Sequence, residues 1–142
     1  LALASNAAVI GCLQAQIDRV QQAALQASLA SPVTAARYRA LLGISGIGQV
    51  LGLTIALETG DIGRFARVGQ YASYCRCVGS RWVSNGKTKG RGNTKNGNAF
   101  LAWAFIEAAN FAIRFDATVR RYYERKLRRS AHRLVALKAL EH

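Results

Sequence analysis

Ser84 stands at the entrance of the run SNGKTKGRGNTKNGN, residues Ser84–Asn98, with Lys87, Lys89 and Arg91 downstream and Arg81 just upstream. Serine attack on a phosphodiester needs cations beside the hydroxyl to stabilise the alkoxide and the developing phosphorane charge. It leaves a covalent phosphoserine that conserves the bond energy for rejoining. A serine in a loop is ordinarily a turn residue, so the signal lies in its neighbours. The 15 residues hold four Gly, four Asn and four Lys/Arg, with no acidic and no large apolar side chain, and read as a basic surface loop. Backbone N–H groups freed by glycine, amide side chains and cations suit a phosphate backbone better than a small apolar ligand.

Other chemistries fail on spacing. Gly86-Lys87-Thr88 resembles the end of a phosphate-binding loop, but that pattern needs glycine at position 81, which is Arg; Gly79 is two residues too far. The seven acidic residues are spread singly and offer no local carboxylate pair for a two-metal nuclease centre. Cys12, Cys75 and Cys77 form no disulfide framework, and His132 is too isolated to complete a zinc set, so the thiols read as buried or inert. Tyr71 and Tyr74 sit in an apolar pattern and read as core rather than as nucleophiles. No metal site is expected in this chain.

The 142 residues suffice for one domain with a core, or for a piece of a larger protein. A formal charge of +13 points to nucleic acid or an anionic membrane surface. Residues 1–60 carry three basic and two acidic groups, whereas residues 61–142 carry seventeen and five. The polyanion-facing part is therefore the second half. No apolar run is long enough to span a membrane and nothing reads as a signal peptide, so a cytoplasmic protein is expected. Leu140-Glu141-His142 reads as the start of a vector-encoded tag, and both ends suggest a piece cut from something longer.

The elements that must position Ser84 read as helices. From Ser5 to Ala30, Val9, Leu13, Ile17, Val20, Ala24 and Leu25 recur at helical spacing among glutamines, predicting an amphipathic helix that packs on its own domain or pairs with a partner helix. Ser31-Pro32 ends it, and Thr34 is the expected N-cap of the next helix. Gly43-Ile44-Ser45-Gly46-Ile47-Gly48 then joins two short helices in a helix-hairpin-helix pattern. There Gly46 and Gly48 would let the backbone, and the second helix's N-terminus, approach a phosphate. A tight helix–helix turn that binds nothing has the same sequence. Gly60 and Asp61 read as a C-cap and an N-cap, Val68–Val78 as a helix, and Trp82-Val83 as a short extended piece. Asn98 should cap an apolar core helix from Ala99 to Phe115, and a last helix from Thr118 to about Leu140 should present Arg121, Arg125 and Arg128 to a nucleic-acid backbone or simply to solvent.

These runs, with Thr59-Gly60-Asp61-Ile62-Gly63-Arg64-Phe65, Tyr71-Ala72-Ser73-Tyr74-Cys75-Arg76-Cys77-Val78, Ser84-Asn85-Gly86-Lys87, Asn96-Gly97-Asn98 and Leu101-Ala102-Trp103-Ala104, occur in an order and spacing that resembles the C-terminal domain of DEDD-type insertion-sequence transposases, the bridge-RNA-guided DNA recombinases. The resemblance covers roughly Tyr38 to Lys138, and the first helix looks like the family's linking coiled-coil segment. It implies a serine nucleophile at the position of Ser84, with Asn85, Lys87, Lys89, Arg91, Lys95 and Asn98 around it on DNA, to which the nearby Arg81 adds a further nucleic-acid contact read from the sequence alone. It also implies an N-terminal RuvC-like domain, absent here, whose three Asp and one Glu bind Mg²⁺, and DNA paired to a structured guide RNA in a site shared between protomers. Many members have Pro where this chain has Ser45. The expected fold is all-α, with residues 1–33 a linking helix, 34–139 the catalytic-serine domain and 140–142 a tag remnant. The expected activity is DNA strand exchange for a mobile insertion sequence, lost in this fragment alone. The competing class is a non-enzymatic DNA- or RNA-binding module, and a third is a helical assembly module that makes a homo-oligomer through the first helix.

Overall fold

The computed structural model describes residues 2–78, 81–91, 96–130 and 132–141. Its helices are α1 (Ala2–Leu29), α2 (Pro32–Leu42), α3 (Gln49–Thr59), α4 (Val68–Tyr74), α5 (Ala99–Phe115), α6 (Ala117–Ser130) and α7 (Arg133–Glu141), with a 3₁₀ turn at Ile62–Arg64. A single antiparallel hairpin, β1 (Arg81–Ser84) and β2 (Lys87–Arg91), interrupts this all-α fold.

The core forms where α3, α4 and α5 meet. Ile47, Leu51, Ile55, Ala72, Cys75, Cys77, Leu101, Ala104 and Ala108 make one buried cluster, with Leu101 and Cys75 wholly enclosed. Small residues on the inner face of α5 let it approach α3 closely; Phe105 packs against this core, while Phe100, Trp103 and Phe115 stay outside. Cys75 and Cys77 are buried thiols as expected, while Cys12 is exposed. Tyr71 belongs to the core rim, its hydroxyl 2.7 Å from Thr59 Oγ1. Burial pushes that hydroxyl up to about 12, against the pull of the Thr59 hydrogen bond, so it stays protonated at neutral pH.

Three expectations need correction. The stretch taken as a loop from Ser84 begins as a hairpin: Asn85 and Gly86 both adopt positive φ, 54° and 72°, as a two-residue type I′ turn requires. An irregularity between Trp82 and Val83 sets Lys89 opposite no partner in the ladder. The helix after Pro32 is capped by Ser31, whose Oγ accepts from Thr34 N at 3.4 Å, so proline sits in the first turn where its missing N–H costs nothing. Where one last helix is expected there are two, α6 and α7, packed against each other, and Ala136 and Leu137 are buried.

Helix α1 meets α2 and α3 only through its C-terminal turns, where Ser28 is buried. Residues 2–23 are exposed on all sides and project roughly 30 Å at helical rise. The apolar stripe from Val9 to Val20 therefore does not pack on its own domain, whereas Ala24 and Leu25 are half-buried against it.

Candidate nucleic-acid interface

The Asn85-Gly86 turn sets Ser84 directly opposite Lys87 in the ladder. Cross-strand partners point to the same face with Cβ atoms about 5 Å apart. The half-buried hydroxyl and the exposed ammonium thus share one side of the hairpin tip. The backbones of Arg81 and Arg91 are paired at the other end of the same ladder, and Lys89 lies at its irregularity. Lys95 lies outside the described residues. Among the described residues the two strand backbones neighbour chiefly each other, so the hairpin is an arm whose tip presents Ser84, Asn85 and Lys87.

The root of the arm is clamped. Asn98 N donates to Tyr74 O at 2.7 Å, and Arg76 Nη2 donates to Gly97 O at 2.9 Å. Gly97, at φ 90°, lies so close that a Cβ would sit 2.4 Å from Tyr74 O. Asn98 caps α5 as the sequence indicates: its Oδ1 accepts from Phe100 N (2.8 Å) and Leu101 N (3.0 Å). Its Nδ2 donates to Glu58 on α3 and, at 3.5 Å, to the Tyr74 hydroxyl. An asparagine amide has one acceptor oxygen and two N–H donors. All are engaged within the protein, so Asn98 fixes the arm's root to α3 and α5.

Tyr74 is not core at its hydroxyl end. The Asn98 hydrogen bond first, and then Arg64, lower its pKa from the ordinary phenol value. The Arg64 guanidinium lies 4.5 Å from the Tyr74 ring centroid and 4.6 Å from that of Phe65. This cation shelf escaped the reading of the sequence, although the adjacent Arg64-Phe65 pair was its visible trace.

Gly46 and Gly48 part company. Gly46 has φ 94°, and a Cβ there would lie 2.2 Å from Ala108 O and 2.6 Å from Ala112 N, so this glycine seats the turn against α5. Gly48 is the N-cap of α3, makes no side-chain cap and has open space where a Cβ would stand. The first turn of α3 faces a cleft of ≈ 530 Å³ walled by Gly46–Leu51, Phe111 and Phe115. On α6, Arg121, Arg125 and Arg128 are exposed and fall on one stripe. Arg125 packs 5.3 Å from the Tyr122 ring. Arg120, also exposed, instead reaches back and caps α5 by donating to the carbonyls of Ile113 (2.9 Å) and Arg114 (2.7 Å).

Among the described residues there is one ion pair, Arg37 with Asp61 at 3.4 Å. With seventeen basic and five acidic groups in residues 61–142, the acidic groups are too few to pair the positive charge, which favours an external polyanion. No three His, Cys, Asp or Glu side chains converge as metal ligands among the described residues.

The family model of the IS116/IS110/IS902 transposases matches residues 38–124, more than half of the chain. The chain belongs to this transposase family. Its role is therefore in DNA transposition, which entails DNA binding. In this transposase the match runs from within α2, through the glycine turn, the arm and α5, into α6 as far as Glu124. It takes in Arg121 and stops just short of Arg125 and Arg128. Helices α1 and α7 lie outside the match. No curated protein matches the chain. No helix among the described residues is long and apolar enough to cross a membrane.

Proposed function

We propose that this chain is the catalytic-serine portion of the transposase. Ser84 Oγ attacks a DNA phosphate; the new O–P bond forms as the bond to one deoxyribose oxygen breaks, leaving DNA joined to the protein as a phosphoserine. The serine proton leaves to a base outside this chain, and the deoxyribose oxygen takes up a proton as it departs. Lys87 stabilises the negative charge on Ser84 and on the phosphorane. The Gly48 end of α3 and the α6 arginines hold flanking phosphates. A RuvC-like domain of another protomer, with Mg²⁺ on its own carboxylates, completes the site on DNA paired to a guide RNA. Alone, this chain binds DNA without recombining it.

The observation that carries this reading is the cross-turn pairing of Ser84 with Lys87. In a protein that also has the metal-binding domain, Lys87→Gln is expected to slow strand transfer about 10²–10³-fold, as loss of one preorganised charge does. DNA affinity should change less than about tenfold. Equal loss in both assays would reduce Lys87 to a backbone contact and remove the support for Ser84.

Assembly through α1 belongs to the same proposal. Leu3, Ile10, Ile17 and Ala24 recur at seven-residue intervals, and Asn6, Leu13, Val20 and Ala27 form the complementary series. Ile at a with Leu at d, as in the Ile10 and Leu13 layers, favours a two-stranded coiled coil. Light scattering should give twice the 15.4 kDa chain mass, falling to one chain mass when residues 1–22 are removed. A monomeric intact chain would contradict the pairing.

A further inference from the structure

Phe100 and Trp103 are out of place for an apolar helix. Their neighbours Leu101 and Ala104 are 0% exposed, yet Phe100 is 64% and Trp103 48% exposed. A helix that needed aromatics for packing would have turned them inward. Here alanines fill that face, and the two rings stand three residues apart on the outer face, side by side about 5–6 Å apart at Cβ. They sit at the root of the arm. The Phe100 amide is held by Asn98, whose own amide bonds to Tyr74, and Arg76 closes the same junction on Gly97.

We infer that Phe100 and Trp103 form a stacking platform for unpaired nucleobases of the DNA strand whose backbone the arm holds. The inference rests on the proposed function above and deepens it, since it names the form of the substrate. Charge complementarity selects nucleic acid over a protein surface: residues 61–142 carry seventeen basic and five acidic groups, and the arm itself carries no acidic residue. Exposed aromatic rings beside a basic track are how proteins hold single strands, because every base has a π-face and stacking asks for no sequence. Paired bases hide those faces inside the duplex. The platform therefore discriminates by strand state, engaging a segment that has been opened.

The test uses the whole chain with Trp82→Phe, which leaves Trp103 as the sole tryptophan. Its emission is followed during titration with an oligothymidylate single strand and with a blunt duplex of the same length. Quenching by the single strand and little change with the duplex is the expected result. Phe100→Ala with Trp103→Ala should weaken single-strand binding by at least about tenfold. Duplex affinity should stay within about twofold, and a helical melt should show that the fold is kept. Trp103→Phe should restore most of the loss. Single-strand binding with unchanged Trp103 emission would overturn the platform and leave the DNA reading intact, the rings then serving as a contact for another protein domain. Failure to bind either form of DNA would overturn both. If the double variant does not fold, the emission of the Trp82→Phe chain decides alone.

Discussion

With Ser84→Ala, strand transfer is expected to fall by about 10⁴-fold or more while DNA binding stays within about threefold, because the residue removed is the nucleophile and not the grip. The hairpin does not depend on the lost hydroxyl. Its ladder is made by backbone groups, and the reversal is made by Asn85 and Gly86 at positive φ, residues the substitution leaves in place. Lys87 also remains across the turn. The two assays therefore separate. A variant that loses DNA binding along with strand transfer would make Ser84 a support for the arm, and one that transfers strands normally would make it a turn residue. Binding is compared at fixed ionic strength, because contacts to phosphates weaken steeply with salt.

Gly46→Ala should destabilise the chain by about 3 kcal/mol or more, whereas Gly48→Ala should cost less than about 1 kcal/mol. At Gly46 the methyl would meet Ala108 O and Ala112 N, backbone atoms in the interior of α5 that cannot swing aside, at a φ of 94° that side chains rarely adopt. At Gly48 the φ is −90° and a Cβ meets nothing. The main cost there is a slightly poorer N-cap. Paired denaturant melts measure the difference. Equal, small effects would mean that the turn is not seated on α5.

What the sequence made legible was local. Asn98 followed by an apolar run gave both the start of α5 and its cap, and the outcome matches to the residue. The α1 stripe was equally plain, but its partner was not, since an apolar face does not say what covers it. Asn85-Gly86 carried the strongest short hairpin signal. It was submerged because Lys87-Thr88-Lys89-Gly90-Arg91 shows no alternation of apolar and polar residues.

The rest was tertiary. Gly46 is explained by Ala108 and Ala112, and Asn98 by Glu58, 40 residues away. Neither partner leaves a mark on the local pattern. The division between α6 and α7 has no proline or glycine to announce it. It goes with the burial of Ala136 and Leu137, where packing overrides a propensity that would have continued the helix. Tyr74 read as core because its ring is flanked by apolar residues, yet its hydroxyl reaches the polar junction with Asn98 and Arg64.

The most direct measurement takes the protein joined to its metal-binding domain, supplies guide RNA and a nicked DNA target that traps covalent intermediates, and looks for a protein–DNA adduct on a denaturing gel. Peptide mass spectrometry then locates the attachment. The account predicts DNA linked through phosphate to Ser84, and no adduct with Ser84→Ala. An active complex with no adduct, or with DNA attached to another residue, would contradict it.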